Sequence, residues 1–144
     1  MSPELTEKLE NRFAFLKRYP SKLMPYDMFS LEVLDGWYDL IFNLCEKIEA
    51  YYIEVDAVVD LKVLQIKEKF GVLQFYHVFT DYTKNKELHK KIDLAINEAE
   101  NTSSTICDVC GKQGSLRADL PWMETLCDEH YNRRKLKIDI NVLN

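Results

Sequence analysis

Three features of the chain together predict an α+β fold. Apolar residues recur at helical spacing in three segments. One stretch alternates in the manner of a β-hairpin. Four potential metal ligands, three cysteines and a histidine, gather near the C-terminus. The expected architecture is a set of helices packed on a small antiparallel sheet over residues 1–104. A Cys/His module over residues 105–144 docks on it.

The first helix should start at Ser2, which can cap, with Pro3 at the first helical position and Glu4 favouring the dipole. Leu5, Leu9, Phe13 and Leu16 form its apolar stripe, and Pro20 should end it. Residues 20–30, with two prolines and scattered apolar side chains, read as a packed loop. Asp35 is expected to cap a second helix whose apolar face is Trp37, Leu40, Ile41, Leu44, Cys45 and Ile48. Residues 51–61 are ambiguous. Val63–Glu68 and Val72–Phe79 then read as paired strands turned by Lys69-Phe70-Gly71, where Gly71 can take positive φ. Leu73, Phe75, His77 and Phe79 share one face of the second strand. The other face, with Val72, Tyr76 and Val78, is also mostly apolar, so both faces are expected to be covered. A third helix is predicted over about 85–100, with Leu88, Ile92, Ala95, Ile96 and Ala99 inward. The polar run Asn101–Ser104 should break it.

The tail reads Cys107-x-x-Cys110, sixteen residues, then Cys127-x-x-His130. That spacing suits one tetrahedral zinc ion held by three thiolates and an imidazole. Gly111 after the second cysteine fits a zinc knuckle, whose tight turn points backbone amides at the sulfurs. Leu116-Arg117 and Met123–Leu126 should pair as short strands, and Asp128–Lys137 should form a helix that begins at the second ligand pair. Knuckle, hairpin and ligand-bearing helix start resemble treble-clef zinc modules. A redox Cys-x-x-Cys would leave Cys127 and His130 unexplained. A catalytic zinc keeps an open position, whereas here four protein ligands fill the tetrahedron. Zinc deaminases need a His-x-Glu partner, which is absent here, and a histidine–metal nuclease needs a hairpin histidine, which residues 111–126 lack. One structural zinc ion is therefore expected. A segment of about 40 residues is near the limit for folding without such a staple.

Bulk properties narrow the function class. Hydrophobic residues make up 47% and charged residues 30% of the 144 residues. No apolar run approaches the ~18 residues of a membrane span. Met1-Ser2-Pro3-Glu4 opens no secretory pattern, and the cysteines suit a reducing compartment. A bacterial cytoplasmic setting is expected. Net charge is −5, and the excess lies in residues 1–104, with 13 Lys/Arg against 18 Asp/Glu; residues 105–144 carry six of each. That balance disfavours a dedicated duplex-DNA binder.

Other candidates carry less. His77 could act as a base, but a hydrogen-bonded core histidine is the stronger reading. His89, beside Lys90 and Lys91, is expected to be exposed. Arg133, Arg134 and Lys135 could contact phosphate or an acidic protein, against the plainer reading of a solvated face near a helix C-terminus. Lys67, Lys69 and Phe70 at the hairpin tip could contact a partner, although Phe70 reads more readily as a turn anchor tucked into the core. Trp37 and Trp122 are both expected in the core.

Gly36-Trp37-Tyr38-Asp39-Leu40, the Lys67-Glu68-Lys69-Phe70-Gly71 hairpin and the Cys107-Asp108-Val109-Cys110-Gly111 knuckle resemble a family of small bacterial and bacteriophage proteins over about residues 35–130. Gln74 departs from the arginine expected there. The resemblance implies an architecture and a bacterial or phage setting, and no reaction. The leading expectation is a non-enzymatic binding protein with structural zinc, of the kind a phage could encode to inhibit a host defence factor, with a host protein as partner. One rival is nucleic-acid binding through the basic C-terminal helix. Another is a small-ligand or nucleotide binder, or an enzyme, using a cleft near His77.

Overall fold

The computed structural model describes residues 1–16 and 30–143. The elements are α1 (Pro3–Arg12), a short 3-10 helix (Ala14–Leu16), β1 (Ser30–Glu32), a second 3-10 turn (Asp35–Trp37), α2 (Tyr38–Glu54), β2 (Leu61–Lys69), β3 (Val72–Phe79), α3 (Lys86–Ser103), β4 (Ser115–Arg117), β5 (Glu124–Leu126) and α4 (Asp128–Leu143). The fold is α+β, as the patterning predicts. The sheet is mixed rather than antiparallel. β1 runs parallel to β2, with Leu31 opposite Ile66, and β2 pairs antiparallel with β3.

Helix α1 is capped by Ser2, whose Oγ accepts from the Leu5 N–H. It stops at Arg12, earlier than expected, because Phe13 takes an extended backbone and drops into the core. The predicted stop at Pro20 and the 20–30 loop lie outside the described residues, apart from Ser30. Asp35 does not cap α2. Its Oδ1 accepts from the Ser2 N–H at 2.6 Å and ties the two helix starts together. Helix α2 absorbs residues 51–54, and Tyr52 is buried within it.

The hairpin turns on two residues, Phe70 (φ 52°) and Gly71 (φ 83°). Positive φ at both positions is the primed geometry that matches strand twist. A bulge at Leu64 keeps Leu61, Val63 and Ile66 on the inner face, opposite Phe79, His77 and Phe75. Helix α3 packs on β3 and the 3-10 helix Ala14–Leu16 on β2, with α2 packed in turn against α3. The expectation that both faces are covered is not met. On the outer face Tyr76 is exposed, and Val72, Gln74 and Val78 are only half-buried.

Helix α3 runs through the predicted break to Ser103. Its terminal hydroxyls bond back to carbonyls, Thr102 Oγ1 to Glu98 and Ser103 Oγ to Glu100. This satisfies polar side chains that would otherwise compete with the helix. Ser103 Oγ also accepts from the Leu73 N–H at 2.9 Å, and Glu100 Oε1 from the Phe75 N–H at 2.8 Å. The free edge of β3 is thereby blocked along these residues, which protects it from pairing with another strand.

Candidate metal centre and its surroundings

The four predicted ligands converge. The ligand atoms of Cys107, Cys110, Cys127 and His130 all lie within 4.8 Å of one another. Cys110 Sγ is 3.8 Å from Cys127 Sγ, and His130 Nδ1 is 3.6 Å from Cys107 Sγ and 3.1 Å from Cys127 Sγ. A tetrahedral ion with ~2.3 Å bonds to sulfur and ~2.0 Å to nitrogen requires edges of about 3.8 Å between sulfurs and about 3.6 Å from sulfur to nitrogen. The donor set therefore fits one metal ion, with His130 presenting Nδ1. Cys45, the remaining cysteine, is fully buried in the main core, where burial pushes its thiol well up.

Local structure explains the convergence. Gly111 takes φ 78° and closes the knuckle, with its N–H donating to the Cys107 carbonyl at 2.9 Å. β4 and β5 pair as expected, Leu116 opposite Thr125, and return the chain to Cys127. α4 starts at Asp128 and puts His130 in its first turn. The Cys127 thiol is brought down to about 7, chiefly by the His130 backbone N–H and further by its imidazole. A thiol so lowered is ready to ligate. Burial pushes the Cys107 thiol up, against opposing backbone donors. A small second core of Cys107, Leu120, Leu126 and Cys127 surrounds the site.

The module is seated on the first 104 residues by backbone contacts. The Gly36 N–H donates to the Asp108 carbonyl at 2.8 Å. Trp37, fully buried as expected, donates from Nε1 to the Ile106 carbonyl at 2.9 Å. Thr125 Oγ1 donates to the Gly71 carbonyl at 2.7 Å. A Cβ on Gly36 would stand only 2.2 Å from the Cys107 carbonyl oxygen, so glycine is required for this approach.

The other predicted residues fare differently. Arg133 pairs with Glu129 at 2.6 Å, Arg134 with Glu124 at 3.2 Å and Lys135 with Asp119 at 3.2 Å. Each cation thus faces a carboxylate of its own module. Helix α4 extends to Leu143, past the predicted end at Lys137, and buries no residue completely. Lys67 and Lys69 lie over the rings of Tyr76 and Phe70, each at 5.7 Å. Phe70 is 69% exposed rather than tucked into the core. Trp122 is likewise 70% exposed, because it lies over the module's rim with Nε1 on Glu124 at 3.0 Å.

His77 is half-buried, with Nε2 2.8 Å from Asp93 Oδ1 and Nδ1 3.2 Å from the Phe75 carbonyl. His89, expected on the surface, is buried. It stacks on Phe79 with centroids 3.8 Å apart and meets Asp60 Oδ2 at 2.8 Å. Tyr52 donates to the other Asp60 oxygen at 2.7 Å. The signal was present, since His89 shares helical spacing with Ile92 and Ile96, but the flanking lysines pointed outward.

Sequence reasoning passed over Asp108. Its residue is 4% exposed, and Oδ1 has no hydrogen-bond partner. Burial pushes its carboxyl up to about 7, and the neighbouring charges of Glu124 and Glu68 add to this. Among the described residues no helix is long and apolar enough to cross a membrane. Comparison with protein-family models, curated proteins and solved structures finds no match for this chain.

Proposed function

We propose that the protein is a non-catalytic binding protein whose Cys107/Cys110/Cys127/His130 site carries one zinc ion as a structural staple. The observation that carries this reading is the closed donor set at a seam. Four protein ligands surround one position, and the backbone that bears them, Cys107–Asp108, is what Gly36 and Trp37 pack against. An ion so enclosed has no open position for substrate, and its binding energy of ~10–16 kcal/mol goes into folding. The rival readings gain little support. Arg133, Arg134 and Lys135 already face carboxylates, and both ring nitrogens of His77 have partners.

Cobalt substitution tests the proposal. Co(II) added to the metal-free protein should give the absorption of a four-coordinate thiolate site, and azide should leave that spectrum unchanged. An azide-dependent shift would reveal an open position and sink the structural assignment. In a bacterial cell the partner would be a host protein, and a phage-encoded copy would act by occupying a defence factor. Immobilised zinc-loaded protein should then retain a stoichiometric protein from host lysate, and recovery of nucleic acid instead would favour the nucleic-acid rival.

A further inference from the structure

A cavity of about 380 Å³ opens where the sheet meets the metal module. Glu32 of β1 and Glu68 of β2 form one side, Asp108 of the knuckle and Glu124 of β5 the other, and Trp122 stands on the rim. Existing partners account for part of this charge. Arg134 and the Trp122 indole engage Glu124, and the Gly71 N–H donates to Glu68 Oε1. Met1 also lines the cavity, and its ammonium donates to the Val33 carbonyl. Asp108 stands apart. It is 4% exposed, it lines the cavity, and its Oδ1 accepts from nothing. A buried carboxylate oxygen without a donor is costly, and native structures rarely keep one without a use.

We propose that this cavity receives the guanidinium of an arginine carried by a protein partner. The inference rests on the reading of the protein as a binding protein, and it names the partner's chemistry. A metal ion does not fit. Among the described residues only the Cys/His group brings enough ligand atoms within reach of one ion, so these acids are spread too widely. A guanidinium is broad and planar, and its fork of N–H donors can reach two carboxylates at once, which an ammonium does less well. Its flat face also stacks on an indole, and Trp122 offers one. The rim points to a protein as the source. Trp122 is 70% and Leu34 44% exposed, apolar surface that a free small cation would leave uncovered.

The test uses the zinc-loaded full chain and three probes. These are the capped tripeptide Leu-Arg-Leu, the same peptide with citrulline for arginine, and agmatine as a free guanidinium. Binding is read by calorimetry and by emission of the exposed Trp122. The arginine peptide should bind at least tenfold more tightly than the citrulline peptide and than agmatine. Asp108→Asn should cost at least tenfold in affinity while leaving Tm unchanged or higher, because it removes an unpaired buried charge. If that variant does not fold, Glu32→Gln, at a more exposed position, should still cost several-fold. Equal affinity for citrulline, or unaltered binding in the variants, overturns the proposal. Equal affinity for agmatine overturns the protein source. A chain that shows the closed cobalt spectrum but ignores arginine refutes this inference alone. Arginine binding with an azide-sensitive spectrum refutes the structural-zinc assignment alone.

Discussion

Gly36→Ala should separate the two halves of the structure more cleanly than any ligand mutation. A Cβ at position 36 would lie 2.2 Å from the Cys107 carbonyl oxygen and 2.5 Å from both the carbonyl carbon and oxygen of Asp108. Those distances fall roughly 1 Å short of van der Waals contact, and the atoms are backbone held by the knuckle, so nothing flexible can give way. The knuckle must retreat. Retreat breaks the 2.8 Å bond from the Gly36 N–H to Asp108 and the 2.9 Å bond from Trp37 to Ile106. Two hydrogen bonds at about 1 kcal/mol each, plus about 1–3 kcal/mol of overpacking, give a loss of about 3–5 kcal/mol. At about 3–4 °C per kcal/mol for a chain of this size, Tm should fall by about 10–20 °C. Calorimetry of the zinc-loaded variant measures this, and hydrogen exchange should show residues 105–111 losing protection while the α2–α3 core keeps it. A Tm within about 2 °C of the parent, with unchanged exchange in the knuckle, would refute the idea that this contact seats the module.

Other perturbations follow from the same geometry. Chelation of the metal should abolish amide protection over residues 105–135 and leave the sheet and α2 folded, because the small second core around Cys107 and Leu126 is too slight to persist alone; unchanged protection would contradict this. Phe70→Asn should stabilise the hairpin by about 1 kcal/mol in urea unfolding, since Phe70 holds φ 52° with 69% of its surface exposed and asparagine tolerates that conformation. A loss of stability would mean the ring packs more than its exposure indicates. Asp60→Ala should cost about 2–4 kcal/mol, as it strands the buried Tyr52 hydroxyl and His89 imidazole together. Asp93→Ala, at the more exposed His77 pair, should cost under about 1 kcal/mol by the same assay, and a reversed order would disprove the burial argument.

Much of the local structure was legible because its causes are local. Ser2-Pro3 announces a helix start, and Phe70-Gly71 between alternating strands announces a tight turn. The spacing of Cys107, Cys110, Cys127 and His130 needs only a knuckle and a short hairpin to close on one ion. The errors arose where neighbours in sequence are not neighbours in space. Leu120, Pro121 and Met123 gave Trp122 apolar company in the chain, but Leu120 turns into the small second core while Trp122 stays on the rim. Lys90 and Lys91 hid a histidine whose partners, Asp60 and Phe79, come from other elements. Ser30–Glu32 is too short to show alternation, so its parallel pairing with β2 left no periodic trace.

Dihedral preference and residue spacing act over a few residues, so most of the helices, the β2–β3 turn and the Cys/His cluster could be read from the chain, whereas β1 and several helix ends could not. Tertiary structure alone decided how the halves meet. The approach of Gly36 to the knuckle depends on two backbones more than seventy residues apart. Likewise, Glu32, Glu68, Asp108 and Glu124 come from four separate segments, and each reads in the sequence as an ordinary surface acid. Packing the module against the sheet turns them toward one cavity and leaves the Asp108 Oδ1 buried without a donor. Burial and charge proximity are properties of the assembled fold, so no local pattern could have announced them.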